Sequence, residues 1–213
     1  ADGSYSQAIS QFERFLDRFP NHPQASPAAV ELAMAQLRRV TEGSADYRRA
    51  FDVAKEEIER VEDEPSFDEA HDELATLLPK IARGLADKAD QQTDTSTASE
   101  LVELSKEALA YCLNSKYIPN TLRDEADLQE VRETLDRVAA RQQAYEELKR
   151  TLSAMQTAVA AGDTRAAYEA HRTLVKAHPQ LIGDAQLVQA VGATVAAEQA
   201  GIRFVADEAP ATT

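Results

Sequence analysis

Apolar residues recur at steps of three and four along most of the chain, the spacing of one face of an α-helix. Tyr5, Ala8/Ile9, Phe12, Phe15/Leu16 and Phe19 form a continuous first stripe. Pro20 closes it, because the residue before a proline resists the helical region. Ser26 as N-cap and Pro27 in the first turn open a second helix through Val30, Leu32, Ala33, Met34 and Leu37, ended by Gly43-Ser44. Tyr47, Ala50, Phe51, Ala54 and Ile58 carry a third. After a turn at 62–66, Phe67, Ala70/His71, Leu74, Leu77/Leu78, Ile81 and Leu85 carry a fourth, in which Pro79 predicts a kink or a break near Leu78.

The stretch 90–97 has no apolar anchor and is predicted to be an exposed loop. Ser99-Glu100 then lead Leu101, Leu104, Ala108, Leu109 and Cys112 on a further helix, interrupted at Tyr117-Ile118-Pro119-Asn120. Between 121 and 161 there is neither Gly nor Pro, and Leu128, Val131, Leu135, Val138, Gln142, Tyr145, Leu148, Leu152, Met155 and Val159 continue one stripe. A single helix of that length reaches about 60 Å at roughly 1.5 Å per residue. The pattern therefore predicts either one long bent helix or a break near Gln142-Gln143. Gly162-Asp163 ends it and a helix to His178 follows. Asp184 then caps a last helix through Leu187, Val191, Val195 and Ala197, stopped by Gly201. The alternation Ile202, Arg203, Phe204, Val205 predicts a short strand before a disordered tail.

Composition agrees with helices throughout. Seven Gly and eight Pro in 213 residues fall well below the average share of roughly 12%, and sheet proteins spend both on turns. The expected fold class is all-α, with seven to nine helices in antiparallel hairpins. A net charge of −14 repels nucleic-acid phosphates and anionic headgroups, which argues against nucleic acid as a partner. No apolar run approaches the roughly 18 residues that span a bilayer, so no membrane insertion is expected.

The order Gly3, Tyr5, Ala8, Ile9, Phe12, Leu16, Pro20 reads Gly-x-Tyr-x-x-Ala-Ile-x-x-Phe-x-x-x-Leu-x-x-x-Pro. It resembles the second helix of a tetratricopeptide repeat. Gly162, Ala167, Tyr168, Leu174, Val175 and Pro179 repeat the pattern, and Gly162 to Pro179 spans the same 17 residues as Gly3 to Pro20. The resemblance covers 3–60 and 148–180. It implies a stacked α-solenoid over 1–201 followed by an extended segment and tail at 202–213. It also implies a non-catalytic interaction or scaffolding module that binds a protein or peptide. The alternative is the helical accessory arm of a larger enzyme whose catalytic domain lies elsewhere. Because the chain starts inside such a repeat, it reads as a fragment of a larger protein, with self-association through Tyr5, Ile9 and Phe12 as a further expectation. Repeats ending Arg-Phe-Pro-Asn-His look like those of bacterial envelope members, which leans the expected address towards the periplasm.

Candidate chemistry narrows rather than widens this picture. His22, His71, His171 and His178 do not have the His-Glu-x-x-His spacing of a zinc helix, and Cys112 shares a face with Leu101 and Ala108 as a small core filler. The acidic run from Glu56 to Glu64 reads as a solvated face, with Glu56 and Arg60 an i,i+4 pair. No cofactor and no metal is expected. Laid on the repeat register, Val30, Met34, Leu37 and Arg38, together with Lys149, Leu152, Gln156 and Val159, fall on the concave face, which is lined in this family by the first helix of each repeat. Of these, Val30, Met34, Leu37, Arg38, Lys149 and Gln156 are the candidate partner-binding residues.

Overall fold

The computed structural model describes residues 2–43 and 45–208, which form eight α-helices and no strand. The helices are α1 (Asp2–Arg18), α2 (Ala25–Gly43), α3 (Tyr47–Val61), α4 (His71–Gln91), α5 (Thr95–Leu113), α6 (Glu125–Ala160), α7 (Thr164–Ala177) and α8 (Ala185–Glu208). The chain divides into two compact units, Ala1–Val138 and Ala139–Thr213. Helix α6 contributes its first part to one unit and the rest to the other.

Aspartate opens most of these helices by accepting the orphan N–H groups of the first turn. Asp46 accepts from the Arg49 N–H at 3.2 Å, Asp94 from Thr97 at 2.7 Å, and Asp124 from Ala126 and Asp127 at 3.0 and 3.1 Å. Asp163 accepts from Ala166 at 3.0 Å, and Asp184 from Gln186 and Leu187 at 2.9 and 3.1 Å. Gly162 ends α6 in the left-handed region at φ 76°. There its N–H donates to the Val159 carbonyl and that of Asp163 to the Ala158 carbonyl, a closure that favours glycine.

In the first unit each helix from α1 to α5 packs on the next, and α2 also meets α4 and α3 meets α5. Met34, Leu37, Phe51, Ile58, Leu74, Leu78, Ile81 and Leu85 are the fully buried bulk of its core, with Leu128, Val131, Leu135 and Val138 of α6 closing it. Small residues let α4 and α5 approach: Ala82, Ala86, Ala89 and Ala108 are buried, and the Ser105 hydroxyl donates to the Ala82 carbonyl at 2.8 Å. Gly84 makes room for Tyr47 of α3, whose ring lies 2.5 Å from where a Cβ would stand. A smaller cluster joins α1 to α2 through Ile9, Leu32 and Ala35, with Phe12 and Leu16 against it. The second unit has its own core of Ala144, Leu148, Met155, Ala167, Leu174, Leu181 and Leu187.

Several local expectations change. Helix α2 begins at Ala25, and the Ser26 hydroxyl accepts from the Ser66 N–H at 3.2 Å instead of capping its own helix. Helix α4 runs unbroken through Pro79, which is buried beside Leu77, Leu78, Ile81 and Ala82. Packing on that scale outweighs the roughly 3 kcal/mol a proline costs a helix interior. The expected loop at 90–97 shrinks to 92–94, because Asp94 rather than Ser99 starts α5. The stretch 125–160 is one helix, without a break at Gln142-Gln143. Gly201 does not stop α8, whose backbone stays helical through 202–205 where a strand was expected. Ser44 and the tail at 209–213 lie outside the described residues.

Candidate functional site

The structure separates the candidate residues into two groups. Val30, Met34 and Leu37 do not line an open face. They are 3%, 2% and 0% exposed and belong to the core of the first unit. Helix α2 packs against α1, α3 and α4, so Leu32 and Ala35 on one side and Val30, Met34 and Leu37 on the other are all covered. Arg38 stays half-exposed, but its guanidinium is engaged by Glu73 of α4. Burial pushes the Glu73 carboxyl above its usual range, and the Arg38 guanidinium pulls the other way. Tyr5 and Ile9 likewise have a partner: Ile9 is buried against α2, and the Tyr5 hydroxyl donates to Glu42 at 2.6 Å. Phe15 of α1 and Phe19 just beyond its end lie 5.6 Å apart between ring centres, tilted at 47°, with Phe19 45% exposed.

Lys149 and Gln156 are exposed on the part of α6 that belongs to the second unit. The Lys149 ammonium donates to Glu146 at 2.8 Å, which holds that carboxyl below its usual range. Gln156 lines a groove of about 510 Å³ between α6 and α8, with Leu152 and Val159 beside it and Gln186, Gln189 and Ala193 opposite. The groove offers apolar walls and three carboxamides, each able both to donate and to accept. Outside the groove, α8 exposes Val188 by 57% and Val195 by 38%.

A second groove, of about 850 Å³, runs along α7 where it meets α8. Arg165, Tyr168, His171, Arg172, Val175 and Lys176 line it together with Glu169 and Glu198. The Tyr168 hydroxyl donates to Glu198 at 3.2 Å; desolvation and this bond raise its proton affinity. Arg165 pairs with Glu169 at 3.0 Å. The repeat register did not single out this surface. Its signal was the spacing of Arg165, Arg172 and Lys176 by seven and four, which places three cations along one helix face.

Charge divides unevenly between the units. Residues 1–138 carry 16 basic against 29 acidic side chains, a net of −13, and 139–213 carry 7 against 8. Three further titratable groups are tied into the fold. Cys112 is buried, and burial pushes its thiol up to about 12, so it remains protonated at neutral pH. His178 is half-buried, not exposed, and its Nε2 meets Glu147 at 2.7 Å. Arg60 pairs with buried Glu57 instead of Glu56. Among the described residues no three His, Cys, Asp or Glu side chains are placed to hold a metal ion, and no helix is long and apolar enough to cross a membrane. No protein-family model, curated protein or solved structure matches the chain.

Proposed function

We propose that this chain is a tetratricopeptide-like interaction module that holds a segment of a partner protein in the α6–α8 groove of its second unit. The carrying observation is that groove: Gln156, Gln186 and Gln189 present exposed carboxamides beside the apolar side chains of Leu152, Val159 and Ala193. Mixed walls of this kind suit a peptide, whose backbone needs hydrogen bonds and whose side chains need apolar cover. The stacked-repeat reading is supported by the order of packing in the first unit, where neighbours in sequence are neighbours in space and alternate helices also meet. The Tyr-x-x-Ala starts of its helices point the same way.

The direct test is selection of random-peptide binders on the full chain, followed by their titration against Ala193→Trp, which fills the groove. The reading requires enriched peptides that lose at least about tenfold in affinity to that variant. Failure to enrich any peptide, or binders indifferent to Ala193→Trp, would overturn it.

A further inference from the structure

We infer that the α7–α8 groove is a separate binding site for an extended acidic segment of a partner protein, one with carboxylates at alternate positions. The two grooves share no lining residue, so this inference stands apart from the α6–α8 reading.

Charge is the first argument. The chain has 37 carboxylate side chains and only 23 Lys and Arg, so acidic partners for its cations are plentiful. Arg38, Arg48, Arg60, Arg83, Lys106, Lys116 and Arg137 all have one. The Arg172 and Lys176 side chains, like those of Arg14, Arg39, Lys80 and Arg150, have no ion pair among the described residues, and what sets these two apart is that they line one groove. They sit on the same groove as Arg165, whose pair with Glu169 is exposed to solvent and therefore weak and easily exchanged for another. His171 adds a further donor. The acidic groups facing this surface are Glu169, engaged by Arg165, and Glu198, engaged by Tyr168. Three cations against two carboxylates leave the groove a surplus of one positive charge, and Arg172 and Lys176 are the two cations not paired to a carboxylate.

Geometry selects the ligand's shape. Arg172 and Lys176 lie one turn apart, a rise of about 6 Å along α7. Alternate side chains of an extended strand repeat every 6.5–7 Å or so. A strand laid along α7 therefore presents carboxylates in near register with these two cations. Arg172 supplies a fork for bidentate contact and Lys176 a point charge. Val175 and the Tyr168 ring line the same groove and offer cover to the apolar parts of the segment. Charges farther away than the Debye length, about 8 Å at physiological salt, are largely screened, so the net −14 of the chain weighs little on a ligand held in the groove.

The test uses the full chain and three N-acetylated, C-amidated octapeptides, alternating Glu-Leu, Gln-Leu and Lys-Leu, each titrated by fluorescence anisotropy at two salt concentrations. The Glu-Leu peptide should bind at least about tenfold more tightly than the Gln-Leu peptide and weaken as salt rises. The double variant Arg172→Glu/Lys176→Glu should lose that preference, and Arg172→Gln/Lys176→Gln should lose most of it. Ala193→Trp should leave it unchanged, which separates this site from the α6–α8 groove. Circular dichroism establishes that each variant is folded. Equal affinity for the Glu-Leu and Gln-Leu peptides would overturn the inference, as would a preference that survives both double variants. So would sedimentation showing that the groove of the free chain is occupied by a second copy which the charge reversal releases.

Discussion

Two contacts in the first unit make single side chains answerable to measurement. At Gly84 an added methyl would sit 2.5 Å from the Tyr47 ring, over which the Lys88 ammonium also lies, 5.7 Å from the ring centre. The atoms met include Cγ at the root of the ring, so a Cβ at Gly84 forces the ring or the helices to shift. Gly84→Ala is expected to cost about 1–3 kcal/mol in urea denaturation, against the gain of up to about 1 kcal/mol that alanine ordinarily brings to a helix. The Arg38–Glu73 pair gives the second case. Arg38→Met leaves a desolvated carboxylate between α2 and α4 and should cost about 1–2 kcal/mol, between the values for exposed and buried pairs. Adding Glu73→Gln should recover part of that loss. The pH response has a definite sign. A carboxyl raised above its ordinary 4.5 binds more protons in the folded than in the unfolded chain between the two values, so stability falls as pH rises through that window. Relative to Glu73→Gln, the wild type should therefore gain stability as pH is lowered from 7 towards 4.5, and parallel stability curves would refute this. Periodicity could show that Met34 and Leu37 share an apolar face. It could not show that a neighbouring helix covers that face, because exposure depends on residues distant in sequence.

Helices were legible from the chain wherever an apolar stripe and a strong terminator coincided. Pro20, Tyr117-Ile118-Pro119 and Gly162-Asp163 all mark breaks that the structure contains. The misreadings share one cause, which is a local signal outvoted by its surroundings. Pro79 and Gly201 are breakers in isolation and are carried through by helices that extend on both sides. The polar run at 90–97 looked like a loop because the ends of α4 and α5 face solvent there, and the stronger cue was Asp94 three residues ahead of the Thr97 N–H. The same consideration explains why Arg165, Arg172 and Lys176 were passed over: charges on a helix are usually solvated, and only the groove beside them makes these three distinctive. The junction of α6 and α7 tests the element scale. Gly162→Ala puts a Cβ at φ 76° and should cost about 1–2 kcal/mol, while Asp163→Ala removes the cap on α7 and should cost about 1 kcal/mol. Both losses should appear in hydrogen exchange as faster opening of α7, with α3 and α4 unaffected.

At the scale of the whole molecule the central fact is that each of the two units has a main core of its own. The buried sets of the two units have no member in common, and large cavities in different cores act on different cooperative transitions. Calorimetry should accordingly resolve two unfolding events. Leu78→Ala and Met155→Ala each remove a fully buried side chain and should cost about 2–5 kcal/mol, the first lowering only one transition and the second only the other. Salt offers an independent assignment of the two events. A net of −13 in the first unit stores self-repulsion that screening relieves, whereas the second unit is nearly neutral. Raising sodium chloride should move the transition sensitive to Leu78→Ala upward and leave the one sensitive to Met155→Ala almost still. A single transition that both substitutions shift equally would mean that α6 couples the units into one cooperative body. In that case a partner bound on the second unit would stabilise the first by the same linkage, and the chain would report binding along its entire length.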